Sequence, residues 1–134
     1  MSTSNPYKQA SVNTATPGRL LLMLYDGLIR FMNEAGLALK ENQTEKAHRA
    51  LIRAQEIVLE LRSTLDYDKA PELCDSLHSL YTYFYEKLIE ANRAKSSAPV
   101  DEITGMVKEL RDAFRQAEQQ LLVEKEASTH ALEG

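Results

Sequence analysis

Between Ala47 and Leu65 the apolar side chains recur at alternating intervals of four and three residues: Ala47, Leu51, Ala54, Val58, Leu61 and Leu65. Wound at about 100° per residue, they fall on one narrow stripe, the seam by which a helix packs nearly antiparallel on its neighbours. The scheme returns in Leu73, Leu77, Tyr81, Phe84, Leu88 and Ala91, and again in Ile103, Val107, Leu110, Phe114, Ala117 and Leu121. No run of β-branched residues alternates with period two. Pro17, Pro71 and Pro99 each stand where a helical pattern begins, a position at which the missing N–H costs nothing. Thr16 and Thr44 are placed to cap the first and second helices. The spacing predicts helices over about 17–40, 44–66, 71–94 and 99–126, rods of roughly 35 Å joined by short turns that leave successive helices antiparallel. The expected fold is all-α, an antiparallel up-down-up-down four-helix bundle over 17–127. Residues 1–16, polar apart from Tyr7 and Val12, are expected to form a mobile N-terminal segment, and 128–134 a frayed tail.

The first helix holds more apolar surface than such a bundle needs. Residues 20–25 read Leu-Leu-Leu-Met-Leu-Tyr, which puts apolar side chains all the way round the rod, where one stripe would suffice. Leu20, Leu21, Leu24, Tyr25, Leu28, Phe31, Met32, Ala35 and Leu39 gather on one broad face, and Arg19, Asp26, Arg30 and Asn33 on the other. Leu22, Met23, Ile29 and Leu37 flank or interrupt the polar side. On the second helix Ile52 and Leu59 sit seven apart opposite the seam, and on the third Tyr83, Tyr85 and Ile89 widen the aromatic band. Isolated exposed leucines and isoleucines are ordinary. Spare apolar positions on three helices together point to an extended groove for a partner, in which Tyr and Met offer large, adaptable contact area. The candidate partner-binding residues are Leu22, Met23, Ile29, Ile52, Leu59, Tyr83 and Ile89.

Other chemistries find little support. Four-helix bundles can hold di-iron sites built from Glu-x-x-His motifs. Glu45-x-x-His48 and Asp75-x-x-His78 imitate the spacing but point away from their seams, and folding the helices back leaves the two histidines about 15 Å apart along the bundle. Cys74, the single cysteine, borders a seam without a basic neighbour and reads as a small buried hydrophobe. There is no Gly-rich phosphate loop, nucleophile elbow or Cys-x-x-Cys pair, so neither an enzyme nor a cofactor is expected. The net charge of −4 argues against non-specific nucleic-acid binding, which needs a basic surface. A lone cysteine, no apolar block behind a basic N-terminus and no span of membrane length place the chain in the cytoplasm.

The run Asn13-Thr14-Ala15-Thr16-Pro17-Gly18-Arg19-Leu20-Leu21-Leu22-Met23-Leu24-Tyr25-Asp26-Gly27 closely resembles the start of the FliS family of flagellar secretion chaperones. The likeness continues through Lys46-Ala47, Ala54-Gln55-Glu56-Ile57-Val58-Leu59-Glu60-Leu61 and Leu65-Asp66, then Leu80-Tyr81-Thr82-Tyr83 and Leu88-Ile89-Glu90-Ala91-Asn92, to Leu110-Arg111-Asp112-Ala113. Tyr7-Lys8-Gln9 is similar to the family's N-terminal tyrosine segment. One departure stands out: the family often has a tryptophan just after the Leu-Arg-Asp element, where this chain has Phe114 and no tryptophan anywhere. The resemblance implies a cytosolic chaperone that binds the C-terminal segment of flagellin, disordered in the monomer and helical in the filament, before export through the flagellar type III apparatus. It also implies that the N-terminal segment lies over part of the client site, making Tyr7 and Val12 an internal plug, and it raises an export-gate component and an anti-sigma factor as further partners. A monomer is expected. A bundle that uses the same apolar excess to form a homodimer, or to hold another amphipathic helix as an adaptor, is the alternative.

Overall fold

The computed structural model describes residues 16–133, with side chains to residue 131. Four helices follow in order: α1 (Pro17–Lys40), α2 (Thr44–Ser63), α3 (Pro71–Ala94) and α4 (Ala98–Glu133). Their ends follow from local chemistry. Thr16 caps α1, its Oγ1 accepting from the Arg19 N–H at 3.2 Å, with Pro17 at the first helical position. The α1–α2 turn is closed by backbone alone. Asn42 takes a left-handed conformation (φ 59°), and the N–H groups of Asn42 and Gln43 reach back to Leu39 and Ala38 carbonyls at 3.3 and 2.8 Å. This tight closure puts Gln43 at the cap position without a side-chain bond, so Thr44 begins α2 and does not cap it. The second helix stops at Ser63, before the expected 66. The Ser63 and Thr64 hydroxyls bond the Glu60 and Leu61 carbonyls at 2.6 and 2.7 Å, satisfying the helix end from its own side chains.

The helices form a ring in which α1 packs on α2 and α4, and α3 packs on α2 and α4. Each contributes large side chains that are essentially sealed: Tyr25, Leu28 and Met32; Leu51, Val58 and Leu61; Tyr81, Phe84 and Leu88; Val100, Ile103 and Val107. Between α1 and α2 the buried residues are small (Ala35, Ala38, Ala47, Ala50 and Ala54), which lets those two backbones approach closely. At the centre the Tyr25 and Tyr81 hydroxyls meet at 2.6 Å, bridging the diagonal between α1 and α3. Phe114 from α4 stacks on Tyr25 with ring centroids 5.6 Å apart, and Phe84 lies 6.5 Å from Tyr81. Paired polar tips on buried aromatic bodies let a core hold two tyrosines. Burial raises both phenols above their usual value, Tyr25 well above it. The bond to Tyr81 pushes Tyr25 further, whereas on Tyr81 it acts against the burial.

Three expectations need correction. Leu73 is exposed; Cys74, 5% exposed, takes its place at the head of the α3 seam, because spacing of three from Leu77 matches the stripe better at the bundle's end. Ile29 is buried, because α1 lies between two neighbours and its buried arc is wider than a single seam. The last helix does not fray at 128 but runs to Glu133, 36 residues against 24, 20 and 24 for the others. At 1.5 Å per residue that is about 54 Å, so α4 outruns the bundle by several turns. It passes the start of α1 at Glu118, whose carboxylate occupies the space a Cβ on Gly18 would need. Beyond that level every described residue is exposed, including Leu121, which the periodicity assigns to the seam. Good helix formers (Gln, Leu, Glu, Lys, Ala) keep the extension helical without packing.

Candidate partner-binding surface

Ridges of side chains on adjacent helices leave a furrow at each edge of the ring. The α2/α3 furrow contains a cleft of about 320 Å³ lined by His48, Ile52, Gln55, Ile89, Asn92, Arg93 and Lys95. Ile52 and Ile89 come together here from different helices to form its apolar walls. Asn92 ties the mouth, its amide meeting His48 Nδ1 at 2.9 Å and accepting from Lys95 Nζ at 2.5 Å. The α1/α2 furrow opens over Leu24, Phe31 and Ile57 between Arg30, Arg53, Glu56 and Glu60, with the Arg30 guanidinium 4.8 Å from the Phe31 ring centre.

A wider opening, about 460 Å³, lies between α1 and α4, where Met32, Gly36, Leu37, Val100 and Gly105 form the lining and a Lys40–Asp101 ion pair of 3.7 Å spans one end. Leu37 is 57% exposed there. Among the described residues a Cβ on Gly36 or Gly105 would meet nothing within 4 Å, so their packing does not require either glycine. Sequence reading set Leu37 on the polar side of α1 but did not assign this furrow. The available signal was two glycines inside helices, each about 1 kcal/mol less favourable there than alanine. Between α3 and α4 a smaller furrow carries Leu80, Met106 and Leu110.

The residues expected at the partner site are therefore distributed unevenly. Ile52 and Leu59 are exposed on the outer face of α2, at 39% and 38%. Leu22 and Met23 are half-buried on α1, and Ile29 belongs to the core and leaves the set. Tyr83 is half-buried, and its hydroxyl donates to Glu102 at 3.3 Å, next to a Lys87–Glu102 pair of 2.9 Å, so its polar tip is engaged within the bundle. Hydrogen bonding across that pair holds the Lys87 ammonium above its usual range and the Glu102 carboxyl below its own. Tyr7 and Val12 lie outside the described residues. The acidic and imidazole side chains of the two look-alike metal motifs, Glu45, His48, Asp75 and His78, are all exposed. Among the described residues no three His, Cys, Asp or Glu side chains converge, and no helix is long and apolar enough to cross a membrane.

Parts of the α1, α3 and α4 segments that carry the family likeness meet at one place in the fold. Asp26, next to Tyr25, faces Arg111 and Arg115 of α4 at 3.7 and 3.9 Å, Arg111 also holds Asp112 at 3.1 Å, and Phe114 stacks on Tyr25 beside Tyr81. The lock defines a four-helix scaffold with apolar residues left in the furrows outside it. The family described as "Flagellar protein FliS" matches residues 1–121. The chain is 41% identical to the flagellar secretion chaperone FliS of Bacillus subtilis (strain 168), over 87% of this chain and 89% of that one. It is 32% identical to the protein of the same name in Campylobacter jejuni, over 84% and 88%, and 27% identical to that of Escherichia coli (strain K12), over 81% of each. The chain belongs to the FliS family of flagellar secretion chaperones.

Proposed function

We propose that this chain binds the C-terminal segment of flagellin in the bacterial cytosol, prevents its premature polymerisation and keeps it competent for flagellar type III export. The observation that carries this reading is on α2. Its inner face is sealed in the core, while Ile52 and Leu59 remain more than a third exposed on the outer face, and Ile52 joins Ile89 across the α2/α3 furrow. An amphipathic client laid along such furrows buries the stripe by which it would otherwise pair with other flagellins, and no ATP or covalent step is needed. Ordering a disordered client costs entropy, which contacts along several furrows offset better than one pocket can. The chaperone acts as a monomer, with Leu22 and Met23 extending the client surface onto α1. Residues 1–16 mask part of that surface through Tyr7 and Val12 until the client arrives.

Flagellin polymerisation followed by light scattering tests the reading. The chaperone at one equivalent should suppress assembly, and a stable one-to-one complex should appear on gel filtration. Unchanged assembly kinetics and no complex would refute it. Leu121, Leu122 and Val123, each more than half exposed on the α4 extension, favour the homodimer alternative, and twice the monomer mass in multi-angle scattering without client would establish it.

A further inference from the structure

Among the described residues Gln55 is the one buried polar side chain, 9% exposed. It lines the α2/α3 cleft between the apolar walls formed by Ile52 and Ile89. An amide on the wall of the cleft offers both a donor and an acceptor to a polar group placed there. The rest of the lining is one-sided in charge. Arg93 and Lys95 stand at its mouth with His48 and Asn92, no carboxylate lines it, and neither cation is in an ion pair among the described residues. In a chain of net charge −4 this is a local reversal.

Lys95 is also held in place. Its backbone is left-handed (φ 52°) at the end of α3, the Ser96 N–H reaches back to the Ala91 carbonyl at 3.2 Å, and Nζ is bonded to Asn92, which in turn meets His48 of α2. The His48–Asn92–Lys95 chain spans both walls and keeps the ammonium at the mouth.

We infer that this cleft is a charge-reading subsite: it accepts a helix presenting an apolar side chain between Ile52 and Ile89 and, one turn away, a carboxylate to Arg93 and Lys95. Residues three or four apart on a helix share a face, so a client with an Asp or Glu at that spacing from an apolar anchor fits, and one with a Lys or Arg there is repelled. Gln55 supplies the polar contact between the two. The inference rests on the flagellin-binding reading and names what one part of that surface selects.

Fluorescence anisotropy with a labelled flagellin C-terminal segment tests it on the full chain. Arg93→Gln/Lys95→Gln should weaken binding about fivefold at low salt, the sum of two exposed charge contacts, with the difference shrinking at high salt. Arg93→Glu/Lys95→Glu should weaken it further, and Arg93→Lys/Lys95→Arg should retain it. A second arm leaves the protein untouched: replacing the client's Asp and Glu by their amides, one at a time, should give at one position a loss that the Gln/Gln variant does not feel. Equal affinity and salt dependence for the wild type and the Glu/Glu variant would overturn the inference while leaving the flagellin reading standing. No binding by the wild type would overturn both.

Discussion

The two faces of α2 use the same kinds of residue for different ends. On the inner face Leu51, Val58 and Leu61 are at most 1% exposed; on the outer face Ile52 and Leu59, one and two positions away, keep more than a third of their surface. The inner residues meet α1 and α3 and exist for the fold. The outer ones stay accessible, and the proposed function assigns them to a partner. What separates the two sets is angle on the helix, and the difference has consequences that can be measured.

Truncation on the inner face should have the largest effect. Leu51→Ala or Leu61→Ala should lower stability by about 2–5 kcal/mol, seen as a lower midpoint in chemical denaturation. A loss no larger than at an exposed site would erase the contrast between the faces. The tyrosine pair comes next. Tyr25→Phe or Tyr81→Phe strands the remaining hydroxyl in the core and should cost about 1–3 kcal/mol, whereas the double variant should lose less than the two singles together. Alkali provides an independent check on this pair. Both phenols titrate above their usual 10.0 in the folded chain, so the unfolded chain releases its protons first. Stability is then intact below about pH 10 and falls as pH rises past it, and the fall should be shallower in the Tyr25→Phe/Tyr81→Phe variant.

Smaller effects sharpen the comparison. Gly36→Ala and Gly105→Ala, where a Cβ meets nothing, should raise the melting temperature, each by up to about 1 kcal/mol of stability. Raised stability with weakened flagellin binding would add the α1/α4 furrow to the partner surface. The smallest effect belongs to the Lys87–Glu102 pair, half-buried on the lysine side. The Glu102 carboxyl is held below its usual 4.5, so what it contributes is present above that value and is lost as pH falls through its lower folded value. Salt should screen the contribution, and a Glu102→Gln melt should show a small difference at neutral pH that vanishes in acid.

Much of the bundle could be read from the chain. Seam periodicity, together with proline and threonine at the joints, located the helix starts, because those signals are local. Leu121 defeated the same logic: a seam carries on past the point where its neighbour ends, and one helix's periodicity does not reveal the neighbour's length. Leu73 was one residue off, because the alternation of four and three reaches Cys74 from Leu77. Ile29 was misplaced because the width of a buried arc depends on how many helices press against it. At the proposed partner surface, the exposure of Ile52 and Leu59 could be read from the α2 wheel alone. Their surroundings could not. The meeting of Ile52 and Ile89, the burial of Gln55 and the contact of Asn92 with His48 depend on which helices become neighbours and at what register. The Tyr25–Tyr81 bond crosses the bundle diagonal and was hidden for the same reason.

The most direct test of the division between the faces is a calorimetric titration of the flagellin C-terminal segment into wild-type chain and into Ile52→Ser/Leu59→Ser, with a thermal melt of each. Stability should change by no more than about 0.5 kcal/mol per site, as at ordinary surface positions. Affinity should fall at least tenfold, the two lost apolar contacts together exceeding about 1.4 kcal/mol. A variant that melts far below the wild type, or one that melts with it and binds flagellin just as tightly, would contradict the assignment of this outer face to the partner.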